Sequence, residues 1–372
     1  MTSEDDLGRL LADAFDAQAR AAVGDHAAPP PPRFADPDAV VAATTIPPAR
    51  RSRSRLWAPV AAAAAVVAIV AGVVVAADRG HDTAPPPAAA GTSTAGPASS
   101  ATATGVTVAP ADAVRVTTLN ADGVTYGVGM PVIAYFSKPI TDARAFQAAT
   151  KVTADGKPLD AAWYFQRSSA GRGPIEGHLR PQSYWPAHSK IHVEFPAAGT
   201  TLGGSLAVEG GVRTLDFTIG ARTILTVDDA THTLRVETDN RDLGTFPVSL
   251  GSTSTPTTRG VKVIMEKGRS ICMSGPGYKE CGVKDTQRLT YTGEYLHAAP
   301  WNTKNIAKGV NSSNGCTNLD PGDAGKLFDQ TRIGDVVTYP NADGPQMTLG
   351  NGYGDWNVSW DQWLTGGLVP TR

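Results

Sequence analysis

A stretch of 22 consecutive residues without a charged side chain, residues 56–77 (LWAPVAAAAAVVAIVAGVVVAA), constrains this chain more than any other feature. About 20 apolar residues suffice to cross a bilayer as a helix, so we expect a single transmembrane helix near the N-terminus. The arginines that precede it are Arg50, Arg51, Arg53 and Arg55. Positive charge marks the cytoplasmic side of a membrane span, which argues against the alternative of a buried core helix. The sequence predicts a single-pass protein of the cell membrane, with a cytoplasmic N-terminus and its bulk outside the cell.

The segments on either side of this stretch have compositions that do not support a core. Residues 1–55 are polar and proline-rich apart from one short amphipathic run that begins at Leu7, and we expect a disordered cytoplasmic segment. Residues 78–106 are rich in Ala, Pro, Ser and Thr, which predicts an extended linker. The net charge of −2 shows no basic excess, so the composition indicates no nucleic-acid partner.

Short β-rich runs separated by Gly, Pro and Asp begin at about residue 107 and continue to 220. Examples are residues 131–136 (PVIAYF) and 190–195 (KIHVEF). Their length and turn spacing predict one immunoglobulin-like sandwich over residues 107–220. Aromatic residues in a sandwich pack in the core more often than they bind sugars, so we assign three of them to structure: Trp163, Tyr184 and Trp185.

A second β-rich domain is predicted over residues 221–340. Its expected strands are residues 223–227, 233–237, 244–250 and 260–266. Apolar residues at helical spacing predict one short helix over 320–330, with Asn318 or Asp320 as its cap. The remaining residues, 341–372, form a Trp-rich C-terminal extension that we expect to pack against the rest of the chain. The fold class is therefore mainly β.

A cysteine in a tight polar turn, Ser312-Ser313-Asn314-Gly315-Cys316-Thr317-Asn318, follows His297 by nineteen residues. A thiol of ordinary pKa near ~8.5 is mostly protonated at neutral pH and needs a base to become a nucleophile. Gly315 removes a side chain and permits unusual backbone angles, so nearby amide groups can point at a developing oxyanion. Cys316 with His297 is a candidate nucleophile and base, and a buried structural cysteine is the alternative.

The segment from 291 to 335 (YTGEYLHAAPWNTKNIAKGVNSSNGCTNLDPGDAGKLFDQTRIGD) resembles the active-site region of L,D-transpeptidases. Their signature is a histidine followed by Ser/Thr-His-Gly-Cys, an apolar residue and Asn. The phrases GMPVIAYFSKPI and HLRPQSYWPAHSKIHVEF resemble the immunoglobulin-like domain of the actinobacterial members. Asn314 stands at the position of the family's second histidine, and Thr317 at that of the aliphatic residue. An asparagine retains hydrogen bonding there but carries no charge.

The resemblance implies a role for each matching residue. Cys316 would be the acyl-accepting nucleophile, His297 the base, and the backbone carbonyl of Ala298 the group that orients the imidazole. The other catalytic positions that the resemblance implies are Ser313 and Gly315, which match the motif, and Asn314, which departs from it. The substrate-binding positions that it implies are Tyr278, in a Gly-Tyr pair of a flap, Trp301 and Asn318.

All three cysteines of the chain lie in the part predicted to be outside the cell, where disulfides persist. Cys272 and Cys281 flank the eight residues MSGPGYKE, a loop compatible with a closing disulfide that leaves Cys316 free. A zinc site built from His297 and the cysteines is the competing interpretation, but no Cys-x-x-Cys pair is present. His178, His188 and His192 also lack a compact ligand spacing, so we expect no metal.

The resemblance implies a peptidoglycan L,D-transpeptidase that cross-links diaminopimelate residues through a Cys316 thioester and releases D-alanine. Its partners would be peptidoglycan stem peptides and, as inhibitors, β-lactams of the carbapenem kind; no cofactor is implied. Two alternatives stay open: an L,D-carboxypeptidase that uses water as acceptor, and a catalytically silent wall-binding protein, because Asn314 replaces the motif histidine. By themselves the residues indicate an extracellular cysteine acyltransferase or hydrolase.

Overall fold

From residue 108 onward the chain is built mainly of β-strands, which confirms the predicted fold class. The computed structural model describes residues 108–168, 171–211, 214–275 and 278–372. The predicted cytoplasmic segment, the apolar stretch at 56–77 and the linker at 78–106 lie outside these ranges. Within the described ranges, no helix is both long enough and apolar enough to cross a membrane.

Ten strands in the first half of the described chain form two five-stranded sheets. They are β1 (Ala113–Thr118), β2 (Thr125–Tyr126), β3 (Val132–Phe136), β4 (Lys151–Ala154), β5 (Lys157–Pro158), β6 (Ala161–Arg167), β7 (Ile175–Pro181), β8 (Lys190–Glu194), β9 (Ala207–Gly211) and β10 (Thr214–Ile219). One sheet has the order β6-β7-β3-β1-β9 and the other β2-β10-β8-β4-β5. A short helix, α1 (Arg144–Ala149), lies between β3 and β4.

The aromatic residues assigned to structure do belong to the core of this sandwich. Trp163 and Trp185 are buried, and the indole Nε1 of Trp185 donates to the carbonyl of Met130 at 2.6 Å. Tyr184 is partly buried and packs edge-on against Trp356 of the C-terminal extension. Trp163 Nε1 donates to Thr150 Oγ1 at 2.9 Å, so both buried indoles have a hydrogen-bond acceptor.

The second half is a single nine-stranded sheet. Its strands are β11 (Thr223–Asp228), β12 (Thr233–Thr238), β13 (Arg241–Ser249), β14 (Gly260–Val263), β15 (Glu266–Gly275), β16 (Tyr278–Arg288), β17 (Tyr295–Ala298), β18 (Thr317–Leu319) and β19 (Val336–Tyr339). The order is β14-β19-β11-β12-β13-β18-β17-β16-β15. The strand expected over 260–266 ends at Val263, and β15 begins only at Glu266.

The sequence predicted one short helix in this domain, whereas its described residues contain two. The predicted helix is present as α3 (Pro321–Gln330), and the Asp320 side chain caps it by accepting from the Gly322 amide at 3.0 Å. A second helix, α2 (Thr303–Lys308), precedes it and ends at Gly309, whose φ is +63°. With six residues and one buried side chain, Ile306, α2 is too short to show helical periodicity in the sequence.

Two glycines allow the main chain of the sandwich to come within hydrogen-bond distance of the main chain of the second domain. Gly127 donates to the carbonyl of Ile333, and Gly129 to that of Gly334, both at 2.8 Å. A Cβ atom on Gly127 would lie 2.2 Å from the Asp335 backbone nitrogen, so no side chain fits there. The two domains are therefore joined by main-chain hydrogen bonds as well as by a shared apolar core.

The C-terminal extension closes this junction, as expected. It contains a 3-10 turn (Gly354–Asn357) and a last helical turn, α4 (Trp360–Trp363). Arg180 of β7 lies over the rings of Trp356, Trp360 and Trp363, at 4.7, 5.4 and 4.2 Å from their centroids. On the other side, Asn357 accepts from the Val261 amide at 2.8 Å. The extension thus contacts both the sandwich and the nine-stranded sheet.

Candidate active site

Parallel strand pairing brings the histidine and the cysteine turn together. Strands β17 and β18 pair so that His297 lies opposite Asn318 and Leu296 opposite Thr317. The crossover between them contains α2, because parallel neighbours need a long connection. Cys316 therefore lies immediately before β18, which is the neighbour of the strand that carries His297.

The turn before Cys316 is held by hydroxyl groups. Ser313 Oγ donates to the Cys316 carbonyl at 2.6 Å and accepts from the Gly315 amide at 3.1 Å. Thr257 Oγ1 donates to the Gly315 carbonyl at 2.9 Å. Gly315 has φ +103°, a conformation that favours glycine. Ser313 and Gly315 thus fix the backbone that presents the sulfur.

Cys316 is a partly buried free thiol. It packs against the apolar cluster of Met273, Val283 and Tyr295, and its Sγ donates to the Gly293 carbonyl at 3.5 Å. Burial raises the pKa of the thiol to about 12, although the Tyr295 amide favours the thiolate by donating to the sulfur. The sulfur is therefore protonated at neutral pH when no substrate is bound.

His297 is buried, and its hydrogen bonds determine its tautomer. Nδ1 lies 2.9 Å from the Ala298 carbonyl, which can only accept, so Nδ1 carries the proton. Nε2 is then an acceptor and receives a hydrogen bond from Asn318 Nδ2 at 3.0 Å. Burial lowers the pKa of His297 to about 4, with the Ala298 bond opposing the shift. At neutral pH the imidazole is uncharged and has a lone pair on Nε2.

These pKa values decide the resting state of the pair. Because burial raises the thiol pKa to about 12 and lowers the imidazole pKa to about 4, a thiolate–imidazolium pair is strongly unfavourable in the resting site. The resting site therefore holds a neutral thiol and a neutral base. Proton transfer has to accompany attack on a substrate carbonyl.

Asn302 is a site residue that sequence reasoning missed. Its Nδ2 donates to Asn318 Oδ1 at 2.9 Å, while its Oδ1 accepts from Ser312 Oγ and Asn305 Nδ2 at 2.9 and 2.8 Å. This chain determines which end of the Asn318 amide faces His297. Asn302 is buried directly after the exposed Trp301, and that position in HAAPWN was the available signal.

A cleft of about 250 Å³ gives access to these groups, and both His297 and Cys316 line it together with Trp301, Asn314 and Asn318. Asn314 is exposed. The Trp301 side chain is 57% exposed, and its ring centroid lies 5.9 Å from that of His297. The structure thus places the predicted wall residue Trp301 at the cleft, whereas Gly277 and the side chain of Tyr278 lie outside the described parts.

A disulfide joins Cys272 and Cys281 across the β15–β16 hairpin. These two sulfurs are therefore not available as thiolates for the competing zinc site, and Cys316 is the free cysteine of the chain. Met273, Glu280 and Val283 of the same hairpin line the cleft. The hairpin thus forms one wall of the candidate active site.

Two further residues that sequence reasoning missed lie behind the nucleophile turn. Lys262 of β14 and Glu294 of the β16–β17 connection are buried and form an ion pair of 2.5 Å. Each was visible in the sequence as a charged residue within a mostly apolar run: Lys262 in GVKVIM and Glu294 in GEYLH. Charged residues are almost never fully buried unless they are paired.

Family models, relatives and solved structures match parts of this chain. The family model for the L,D-transpeptidase catalytic domain matches residues 222–338, and that for a bacterial Ig domain matches 87–201. L,D-transpeptidase 2 of Mycobacterium tuberculosis is 32% identical over 255 residues, which are 66% of this chain and 60% of that protein. A solved structure of LD transpeptidase LdtMt1 in complex with imipenem aligns with 60% of this chain and 96% of its own, at 28% identity and a TM-score of 0.48.

A further relative is matched over most of its length. L,D-transpeptidase 1 of Mycobacterium tuberculosis (strain ATCC 25618 / H37Rv) is 30% identical over 227 residues, which are 58% of this chain and 81% of that protein. The chain therefore belongs to the L,D-transpeptidase family.

Proposed function

We propose that this chain is a peptidoglycan L,D-transpeptidase that forms cross-links between diaminopimelate residues through an acyl-enzyme on Cys316. The observation that carries the proposal is that a free cysteine, Cys316, and a neutral histidine, His297, line one accessible cleft. Family membership supports the substrate class. This chain covers 60% of L,D-transpeptidase 2 and 81% of L,D-transpeptidase 1 of Mycobacterium tuberculosis. The activity and substrate of this chain are therefore inferred from its own site.

In the first step, the Cys316 sulfur attacks the carbonyl between the L-centre of diaminopimelate and the terminal D-alanine of a tetrapeptide stem. His297 Nε2 releases its hydrogen bond from Asn318 and takes the thiol proton as the carbon–sulfur bond forms. The carbon–nitrogen bond then breaks, and His297 returns the proton to the departing amine, which leaves as D-alanine. A thioester on Cys316 remains.

In the second step, an amine of another stem attacks the thioester and loses its proton to His297. The carbon–sulfur bond breaks, the sulfur regains a proton, and the new amide is the cross-link. The Ala298 carbonyl keeps Nδ1 protonated throughout, so that Nε2 stays the atom that exchanges the proton. Asn314 lies at the cleft with an amide that can donate to the developing oxyanion. The scheme needs no metal or organic cofactor.

The test is intact mass spectrometry of the purified full-length chain with a disaccharide tetrapeptide and, separately, with a carbapenem. We expect D-alanine release, a dimeric product and a covalent adduct on Cys316. Cys316→Ala should give none of these, while Ser168→Ala in the sandwich is a matched control that should behave like wild type. A folded chain with a free Cys316 and no adduct would contradict the proposal.

The same experiment separates the alternatives. Water as acceptor would give a shortened tripeptide stem and no dimer, which defines an L,D-carboxypeptidase. A wall-binding protein would bind peptidoglycan without turnover. Asn314→His restores the motif histidine: a chain silenced by Asn314 would gain activity in this variant, whereas we expect the wild-type chain to be active already.

We also propose that residues 56–77 anchor the chain in the cell membrane, with the N-terminus in the cytoplasm and the domains outside. The uninterrupted apolar stretch and the arginines before it support this proposal. Deleting 56–77 should move the protein from the alkali-resistant membrane fraction to the soluble fraction. Equal fractionation of the deletion variant and the wild-type chain would contradict it.

A further inference from the structure

A charged pair lies in the core beside the nucleophile. Lys262 is fully buried and the Glu294 side chain is 9% exposed, and Nζ lies 2.5 Å from Oε2. Removing two ions from water is costly, and an apolar pair of similar volume is often as stable. The stability of the fold alone therefore does not account for these two residues.

The Glu294 carboxylate contacts the segment that supports the nucleophile turn. Its two oxygens accept from the Thr258 amide at 2.7 Å and the Thr258 hydroxyl at 2.8 Å. The neighbouring Thr257 hydroxyl holds the Gly315 carbonyl. An ideal Cβ on Gly315 would lie 3.6 Å from Glu294 Cγ and 3.8 Å from its Oε1. The carboxylate thus lies directly behind the residue that precedes Cys316.

Lys262 reaches the same turn from the other side. Its ammonium lies 3.7 Å from the centroid of the Tyr339 ring, and the Tyr339 hydroxyl is 2.8 Å from Thr317 Oγ1. Thr317 is the residue that departs from the aliphatic position of the family motif. An aliphatic side chain could not make this bond, so the departure belongs to the same buried polar cluster.

We propose that Lys262 and Glu294 act as a charge pair that sets the reactivity of Cys316, in which the carboxylate supports the turn and the ammonium offsets its charge at the sulfur. The inference rests on the proposed function, because it concerns the same thiol. Neither residue lines the cleft that Cys316 faces, so both are positioning residues.

The groups that face Cys316 come from several elements. Glu294 lies before β17, Lys262 on β14, His297 on β17, Glu280 on the β16 wall of the cleft and Tyr339 on β19. His297 is neutral at pH 7 because its pKa is lowered to about 4, and burial raises the pKa of Tyr339. Glu294 raises the pKa of the Cys316 thiol and Lys262 lowers it by a smaller amount. The two charges therefore act on the thiol in opposite directions.

The experiment measures the rate of Cys316 alkylation by iodoacetamide at pH 8 in the full-length chain, followed by intact mass. A nearby charge shifts a pKa by about 1–3, and a thiolate of lower pKa is intrinsically less nucleophilic. We therefore expect Glu294→Gln to react about three- to thirtyfold faster than wild type, and Lys262→Met slower by a similar factor. A purely structural role would change both rates in the same direction.

Control variants test the effect of the buried charge pair separately from the proposed function. The exposed pair Lys151 and Glu194, 3.0 Å apart in the sandwich, provides matched variants, Lys151→Met and Glu194→Gln, with expected rates within twofold of wild type. The double variant Lys262→Met/Glu294→Gln leaves neither charge unpaired and should react at a rate between those of the two single variants. Equal or same-direction rate changes in the single variants, or a double variant outside the range that they span, overturn the inference. If the alkylation rates of the variants change as expected but the wild-type chain releases no D-alanine, only the proposed function is contradicted.

Discussion

His297→Gln should lower kcat/KM for D-alanine release by about 10²–10⁴-fold while Cys316 stays free and the chain stays folded. This factor is the usual contribution of a positioned general acid and base. Since burial raises the pKa of the Cys316 thiol to about 12, a resting thiolate is unfavourable at neutral pH, and the sulfur depends on Nε2 to take its proton at the moment of attack. D-alanine release measured at pH 7, with urea unfolding as the control for folding, checks this prediction.

The pH dependence follows from the same groups. Burial lowers the pKa of His297 to about 4, so the base is uncharged above that pH. Activity should therefore be flat from about pH 8 down to about pH 5 and decline only as the pH falls toward 4. A decline centred near pH 6.5, the ordinary value for histidine, would contradict the buried neutral imidazole.

A milder variant tests how the base is oriented. Asn302→Ala removes the donor to Asn318 Oδ1, so the Asn318 amide loses one of the contacts that keep its nitrogen toward His297. We expect a smaller loss of kcat/KM than for His297→Gln, on the order of tenfold, since outer hydrogen-bond partners act through another residue. A loss as large as that of His297→Gln would assign Asn302 a direct catalytic role.

Asp355→Asn should reduce the free energy of unfolding by about 3–5 kcal/mol, the usual cost of breaking a buried ion pair. Asp355 lies in the 3-10 turn of the C-terminal extension, and its Oδ1 is 2.7 Å from Nδ1 of His178 on β7. Both side chains are almost completely buried, and Glu176 lies 3.5 Å from the other ring nitrogen. The variant would leave the imidazolium with one carboxylate fewer in a dry site.

The sign of the pH effect is determined by His178. Burial lowers its pKa, but the charges and hydrogen bonds of Asp355 and Glu176 outweigh burial and raise it to about 10. The stabilisation is therefore fully present below the unfolded-state value of about 6.5 and is lost as the pH rises through about 10. Urea unfolding at pH 6.5 and pH 9.5 should show a larger effect of Asp355→Asn at the lower pH.

Asp361→Asn is the matched control, because Asp361 is an exposed carboxylate in the same extension. Surface substitutions of this kind usually change stability by less than about 0.5 kcal/mol. Equal effects of the two variants, or an Asp355→Asn effect that grows with pH, would contradict a buried ion pair between the extension and the sandwich.

The sequence predicted the parts of this fold that depend on neighbours in the chain. Alternating apolar residues predicted β11 and β12, and apolar residues at helical spacing predicted α3. The Ser-Ser-Asn-Gly-Cys turn identified Cys316, because small and polar residues in a row specify a tight turn whatever surrounds them. The six residues of α2 were missed, since so short a helix depends on burying Ile306 rather than on its own pattern.

By itself the sequence indicated a candidate nucleophile, a candidate base, the apolar stretch at 56–77 and the mainly β class, because each depends on residue types that lie close together in the chain. Only the tertiary structure decided that Asn302 orients Asn318, that Lys262 and Glu294 form a buried pair behind Cys316, and that Asp355 meets His178. The physical reason is that partners 16, 32 and 177 residues apart meet through sheet order and core packing. A polar residue in a β-run does not reveal its distant partner.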